Sequence, residues 1–143
     1  DGMIGDSLPK AIGPALNGSI GSVPGTDSPG NAKYAELAKA AGFESGPYGP
    51  ESYDAAALIM LAMQAANSTD SNVFKKNIMN IANAPGEKIF PGELGKAIKL
   101  IKEGKDIDYV GATALELVGS GESAGSFAEI LIEDQKTNKV GYR

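Results

Sequence analysis

Hydrophobic and polar positions divide the first third of the chain into two helices with a strand between them. Asp6 or Ser7 can cap the first helix, after which small and apolar residues alternate as in a strand. Asn31 can cap the second helix, whose apolar residues recur at helical spacing. The predicted elements are a helix over residues 8–18, a strand over residues 18–25 and a helix over residues 32–42.

The middle of the chain is predicted to be helical and strongly apolar. A helix over residues 51–66 contains the run 58–63, which has no polar stripe. We therefore expect this helix to be buried nearly all round. A second helix, capped by Asp70 or Ser71, is predicted to continue to Ala84.

The last third of the chain combines one clear helix with strand signals. Residues 93–103 have the i, i+3, i+4, i+7 apolar spacing of an amphipathic helix, and they follow a predicted loop over residues 85–92. The glycine-rich stretch 119–125 is predicted to be a turn between two strands. Residues 126–133 alternate like a strand, and residues 134–139 read as a turn. Because short, scattered strands need neighbours to pair with, the pattern indicates that part of the protein is missing.

Composition fits one globular domain of 143 residues, with 42% hydrophobic and 22% charged residues. A net charge of −5 without a lysine cluster argues against nucleic acid or an anionic membrane as the partner. The longest apolar run, residues 55–66, is too short to cross a bilayer. The chain begins at Asp1 without a basic region, so we expect a mature or shortened form without its signal peptide.

The chemistry available to the chain favours binding over catalysis. Cysteine and histidine are absent, which excludes disulfides, thiolate metal sites and the commonest general base. No nucleophile elbow, phosphate-binding loop or dinucleotide motif is present. Glu103, Asp106 and Asp108 could suggest a hard-cation site, but their spacing lacks the calcium loop and favours a solvated acidic turn. We expect no enzyme activity, no metal and no cofactor.

Tyr48 stands on a short stiff loop, "SGPYGPESYDAA", between two Gly-Pro pairs and directly before the apolar helix. One interpretation is a surface tyrosine that packs on its own helix. The other is a ring that covers the aliphatic part of a small ligand. Asp1 is a candidate for the complementary role, because a carboxylate binds an ammonium group through charge-assisted hydrogen bonds.

Four stretches, in order, resemble the C-terminal part of one protein family. They are "DGMIGDSL", "NGSIGSVPG", "GPYGPESYDAAALIMLAMQAANSTD" and "IKEGKDIDYVGATALELVGSGESAGSFAEILIEDQKTNKV". Together they resemble the periplasmic binding proteins of the leucine/isoleucine/valine type, the solute-capturing subunits of ABC importers. The chain departs from the family in its turn "LVGSGES" and in lacking the N-terminal half.

The resemblance implies an α/β fold of the type I periplasmic binding protein kind, in which two lobes close on a ligand. The chain would be one fragment with parts of both lobes. Residues 1–45 would supply a second-lobe strand and helices, residues 46–110 first-lobe helices, and residues 111–143 a crossover and the last strands of the second lobe. We also expect the exposed strand edges to favour self-association.

The resemblance further implies a site and a function. Asp1 would pair with the ligand ammonium group, Gly2 would lie in the same site, and Tyr48 would line the side-chain pocket in the cleft between the lobes. The protein would be a periplasmic subunit that binds an amino acid, by default a branched-chain one, and delivers it to a membrane permease. The alternatives are a ligand-sensing receptor domain of the same fold and a small hydrolase or isomerase. We expect weak or no ligand binding by the isolated chain.

Overall fold

The computed structural model describes residues 4–143, which form two compact units. Unit 1 contains the residues up to Asp27 together with Ser126–Arg143, and unit 2 contains Ser28–Gly125. The elements in chain order are α1 (Ser7–Ile12), a 3₁₀ turn (Gly13–Leu16), β1 (Ile20–Pro24), α2 (Pro29–Ala40), α3 (Gly49–Ala66), α4 (Ser71–Phe74), a 3₁₀ turn (Lys75–Asn77), α5 (Ile78–Ala82), β2 (Glu87–Ile89), α6 (Leu94–Lys102), β3 (Ile107–Tyr109), β4 (Leu117–Val118), β5 (Glu122–Ser123), β6 (Phe127–Glu133) and β7 (Lys136–Tyr142).

The boundaries of the two units differ from those of the predicted segments 1–45, 46–110 and 111–143. Helix α2 belongs to unit 2, because the Ser28 hydroxyl donates a hydrogen bond to the Ala112 carbonyl at 3.2 Å. Gly30 also lies against Gly111, where an added Cβ would come within 1.9 Å of the Gly111 carbonyl oxygen. The assignment of these segments to the lobes of a larger protein remains a prediction.

Unit 1 is built on an antiparallel sheet in the order β1-β6-β7. Ala128, Ile130 and Ile132 of the central strand are buried, as the alternating pattern predicts. The strands predicted over residues 18–25 and 126–133 are confirmed. The turn predicted over residues 134–139 is shorter, because β7 already begins at Lys136.

Unit 2 contains a parallel pair of strands, β2 and β3, joined through α6. Ile89 pairs with Tyr109, and both side chains are fully buried. The prediction of a loop over residues 85–92 is wrong, since this stretch contains β2. A strand of three residues is too short to show an alternating pattern in the sequence. Helices α3, α5 and α6 cover the pair, and their buried apolar residues include Ala57, Leu58, Leu61, Ile81, Ala82 and Ala97.

Four helix predictions need correction. The helix predicted over residues 8–18 is α-helical only to Ile12 and continues as a 3₁₀ turn to Leu16, and the Asp6 side chain does not cap it. Helix α2 is capped by Ser28 and not by Asn31, since the Asn31 backbone N–H donates to the Ser28 hydroxyl at 3.1 Å. Helix α3 is not buried all round: Ile59 and Met60 are 42% and 51% exposed, because only one face packs on the core. The helix predicted to run to Ala84 is divided by a 3₁₀ turn and ends at Ala82. The turn predicted over residues 119–125 is shorter, because β5 lies within it: residues 119–121 join β4 to β5.

Asp54 is a buried charged residue in the middle of this core, with only 2% of its surface exposed. Its Oδ1 accepts hydrogen bonds from the Tyr109 hydroxyl at 2.9 Å and the Ala112 N–H at 2.8 Å. Its Oδ2 accepts from the N–H and the hydroxyl of Thr113 at 2.8 and 2.7 Å. Burial, and after it the Asp54 charge, raise the pKa of Tyr109, so its phenol remains a donor. Asp54 therefore fastens α3 to the end of β3 and the segment after it.

Replacing Asp54 with asparagine should lower the free energy of unfolding by about 3 kcal/mol, because an amide NH₂ would face backbone N–H donors that the carboxylate now satisfies. Chemical denaturation measures this change. The control is Asp70→Asn at the exposed cap of α4, where asparagine caps equally well and the change should stay within about 0.5 kcal/mol. An Asp54→Asn protein as stable as the parent would contradict the argument.

Replacing Gln135 with glycine should stabilise the β6–β7 hairpin. Asp134 and Gln135 form its turn with φ of 50° and 60°, a left-handed conformation that glycine adopts without steric cost. We expect a net gain of about 0.5–1 kcal/mol, measured as a higher thermal midpoint. In Glu133→Gly, where the backbone is an ordinary strand, glycine should destabilise by a similar amount; equal effects at both positions would disprove the turn argument.

Candidate functional site

Tyr48 occupies an unusual position at the start of α3. It is the N-cap residue of that helix, with φ 65° and ψ 8°, whereas N-cap residues are usually extended. A left-handed conformation is rare for a bulky residue and costs about 1–2 kcal/mol. Pro50 lies in the first turn of the helix, where proline is tolerated. The two Gly-Pro pairs thus enclose a strained residue whose side chain is half-buried.

The Tyr48 ring lines a groove of about 580 Å³ within unit 2, between α2, the following loop and the start of α3. Four of the lining side chains are aromatic, and none carries a charge. The lining residues are Tyr34, Leu37, Ala38, Ala41, Phe43, Gly46, Pro47, Tyr48, Gly49, Ser52 and Tyr53. Such a concave apolar surface with a few hydroxyl groups can bind an apolar part of a small molecule.

The groove brings together aromatic residues that the sequence analysis did not assign to a site. Tyr34 belongs to the apolar face of the helix predicted over residues 32–42, and the sequence predicts no role for Phe43 or Tyr53. Phe43 is 59% exposed, so its ring is accessible from solvent. The available signal was the concentration of rings on both sides of the Gly-Pro loop.

Hydroxyl groups form the polar part of the groove. The hydroxyls of Tyr34 and Ser45 are hydrogen-bonded at 3.0 Å. The Tyr53 hydroxyl accepts from the Gly92 N–H at 3.2 Å. The Tyr48 hydroxyl is buried and has no hydrogen-bond partner within residues 4–143. A buried hydroxyl without a partner is costly, so Tyr48 carries a second energetic penalty besides its backbone conformation.

The other predicted site residues, Asp1 and Gly2, lie outside the described residues. The pairing of Asp1 with a ligand ammonium group and the place of Gly2 in the same site therefore stay predictions. Among residues 4–143, no group of three or more acidic side chains could hold a metal ion. Glu103 of the predicted acidic turn pairs with Lys105 at 2.8 Å, and this hydrogen bond raises the pKa of Lys105. No helix in the described part is long and apolar enough to cross a membrane.

Comparison with known proteins identifies the fold of the chain. No family model matches the sequence. The chain is 31% identical over 103 residues to the chemotactic signal transduction system substrate-binding protein BasB of Halobacterium salinarum, an alignment that covers 67% of this chain. The chain spans only 25% of the length of that curated relative.

The structure also matches a solved protein of similar architecture. It superposes on the leucine binding protein LivK of Thermotoga maritima with a TM-score of 0.64 and 15% sequence identity. The match covers 96% of this chain and 34% of that protein. At this identity the match defines the fold alone. The chain therefore has the α/β fold of a type I periplasmic binding protein and matches a part of that fold.

Proposed function

We propose that this chain is the C-terminal part of an extracytoplasmic solute-binding protein that binds an amino acid or a related small molecule. The observation that carries the proposal is the aromatic groove around Tyr48, on a fold shared with a protein named as leucine binding. The groove's uncharged lining suits an apolar side chain, and branched-chain amino acids are the default ligands. Asp1 and Gly2 are proposed to bind the charged end of the ligand, with Asp1 facing the ammonium group.

In this proposal the protein delivers its ligand to the membrane permease of an ABC importer. A second function has specific support, because the curated relative is named as part of a chemotactic signal transduction system. A sensing protein of the same fold would bind the same class of ligand and pass the signal to a receptor. Neither role involves catalysis.

Truncating Tyr48 should weaken ligand binding. We expect Tyr48→Ala in the complete product of the gene to raise the Kd for L-leucine roughly 10- to 100-fold, as loss of a central aromatic contact does elsewhere. Calorimetric titration measures the change. Tyr142→Ala, which removes a tyrosine from β7 in unit 1, is the matched control and should leave the Kd unchanged.

Two results would contradict this prediction. One is an unchanged Kd in Tyr48→Ala, and the other is an equal loss in Tyr142→Ala.

The isolated 143-residue chain should bind L-leucine weakly or not at all, since it spans only a third of the matched structure. Micromolar binding by that chain would refute the assignment of the remaining contacts to other parts of the protein.

Deleting the gene separates the importer from the sensor. If the protein serves an importer, the deletion strain should lose most uptake of radiolabelled leucine, and reintroducing the gene should restore it. Loss of chemotaxis toward leucine with normal uptake would instead establish the sensing role. The Tyr48→Ala gene should fail to complement whichever of the two activities is lost.

A further inference from the structure

The loop that carries Tyr48 has a side-chain anchor in α2. Between Phe43 and Gly49 its described backbone hydrogen bonds are few. The Phe43 N–H donates to the Ala38 carbonyl, the Gly49 N–H donates to the Gly46 carbonyl at 3.2 Å, and the Tyr48 carbonyl accepts from the Ser52 N–H at 2.9 Å. The Tyr34–Ser45 hydroxyl contact at 3.0 Å joins this loop to the preceding helix. Tyr34 therefore restrains a segment that its backbone restrains weakly.

Tyr34 is itself firmly held. Only 7% of its surface is exposed, and its ring lies against Tyr53 with the centroids 5.5 Å apart and the planes tilted by 59°. This is a favourable arrangement for two aromatic rings. The Tyr34 hydroxyl is consequently held in place, and the Ser45 hydroxyl is hydrogen-bonded to it.

Gly49 makes this contact possible. A Cβ at position 49 would come within 2.1 Å of the Ser45 hydroxyl oxygen and 2.7 Å of the Tyr34 hydroxyl oxygen. Any other residue would have to push the hydroxyl pair away from the start of α3. The glycine is thus required by the close approach of the two hydroxyls.

Tyr48 directly precedes this glycine and holds the two unfavourable features already described. A bulky residue stays in a left-handed conformation, with a buried hydroxyl unpaired within residues 4–143, only where its surroundings enforce it. We propose that Tyr34, Ser45 and Gly49 form a latch that sets the position of the Tyr48 ring. Tyr34 is then a positioning residue for the ligand, a role that rests on the proposed function.

The test removes one hydroxyl at a time from the complete gene product. Tyr34→Phe and Ser45→Ala each delete the hydrogen bond but keep the other packing. Fluorine NMR of protein labelled with fluorotyrosine follows the Tyr48 ring, whose signal is identified by its loss in Tyr48→Phe. We expect both variants to shift the Tyr48 signal and to raise the Kd for L-leucine about threefold to tenfold, the effect of one lost hydrogen bond.

A double variant distinguishes a latch from general loosening. Because the two hydroxyls act as one contact, Tyr34→Phe/Ser45→Ala should weaken binding no more than either single variant. Tyr142→Phe removes another tyrosine hydroxyl contact, to Lys139 at 3.1 Å, and should change neither the Tyr48 signal nor the Kd. Gly49→Ala should reproduce the shift of the Tyr48 signal.

Each outcome decides one proposal. An unmoved Tyr48 signal in both single variants overturns the latch. An unchanged Kd in those variants, while Tyr48→Ala weakens binding, also overturns it but leaves the proposed function standing. If Tyr48→Ala does not affect leucine binding, the proposed function fails, and the NMR signal alone decides the latch: a shift supports it and an unchanged signal overturns it.

Discussion

The Asp54 carboxylate holds together the parts of unit 2 from which the groove is built. It receives four hydrogen bonds from residues that lie 55 to 59 positions further along the chain. Gly111 has to be a glycine beside it, since a Cβ there would lie 2.4 Å from Asp54 Oδ1 and its φ is +61°. The same short segment contacts Gly30 of α2 and Ser28, the residue that caps this helix. The two helices that line the groove, α2 and α3, are therefore both held by contacts with residues 109–113.

This arrangement also explains how a charge is tolerated in an apolar core. A buried carboxylate is strongly unfavourable unless hydrogen bonds replace its hydration. Two backbone N–H groups and two hydroxyls surround Asp54, and two of these four donors belong to Thr113. The donors are fixed by the end of β3, so the network forms only when α3 and β3 are both in place. Asp54 consequently contributes to a unique packing as well as to stability.

Periodicity explains which elements could be predicted from the sequence. Strand β6 and helix α6 each repeat their apolar pattern often enough to be recognised, and the structure confirms both. Strands β2 and β3 have three residues each, so no alternation could be seen. The Asp54 network was missed for a different reason. A single aspartate in an apolar helix has no spacing signal, and all of its partners are distant in the sequence.

The candidate site was only partly predictable, because it depends on tertiary contacts. The Gly-Pro pairs mark Tyr48 as a special position, but they give no indication that Tyr34 and Phe43 of the preceding segment share its groove. The left-handed backbone of Tyr48 is also invisible in the sequence, where a glycine or asparagine would be expected at such a φ.

The strain at Tyr48 has a consequence for binding itself. A ligand can shift a protein between conformations only to the extent that it binds one of them better. The observed Tyr48 conformation carries a backbone cost and an unpaired hydroxyl, so its free energy lies closer to that of alternative ring positions than it would for a relaxed residue. Under the proposed function, a ligand that binds one ring position only modestly better is then able to select it. Asp54 holds α3, which begins directly after Tyr48, against the segment that follows β3.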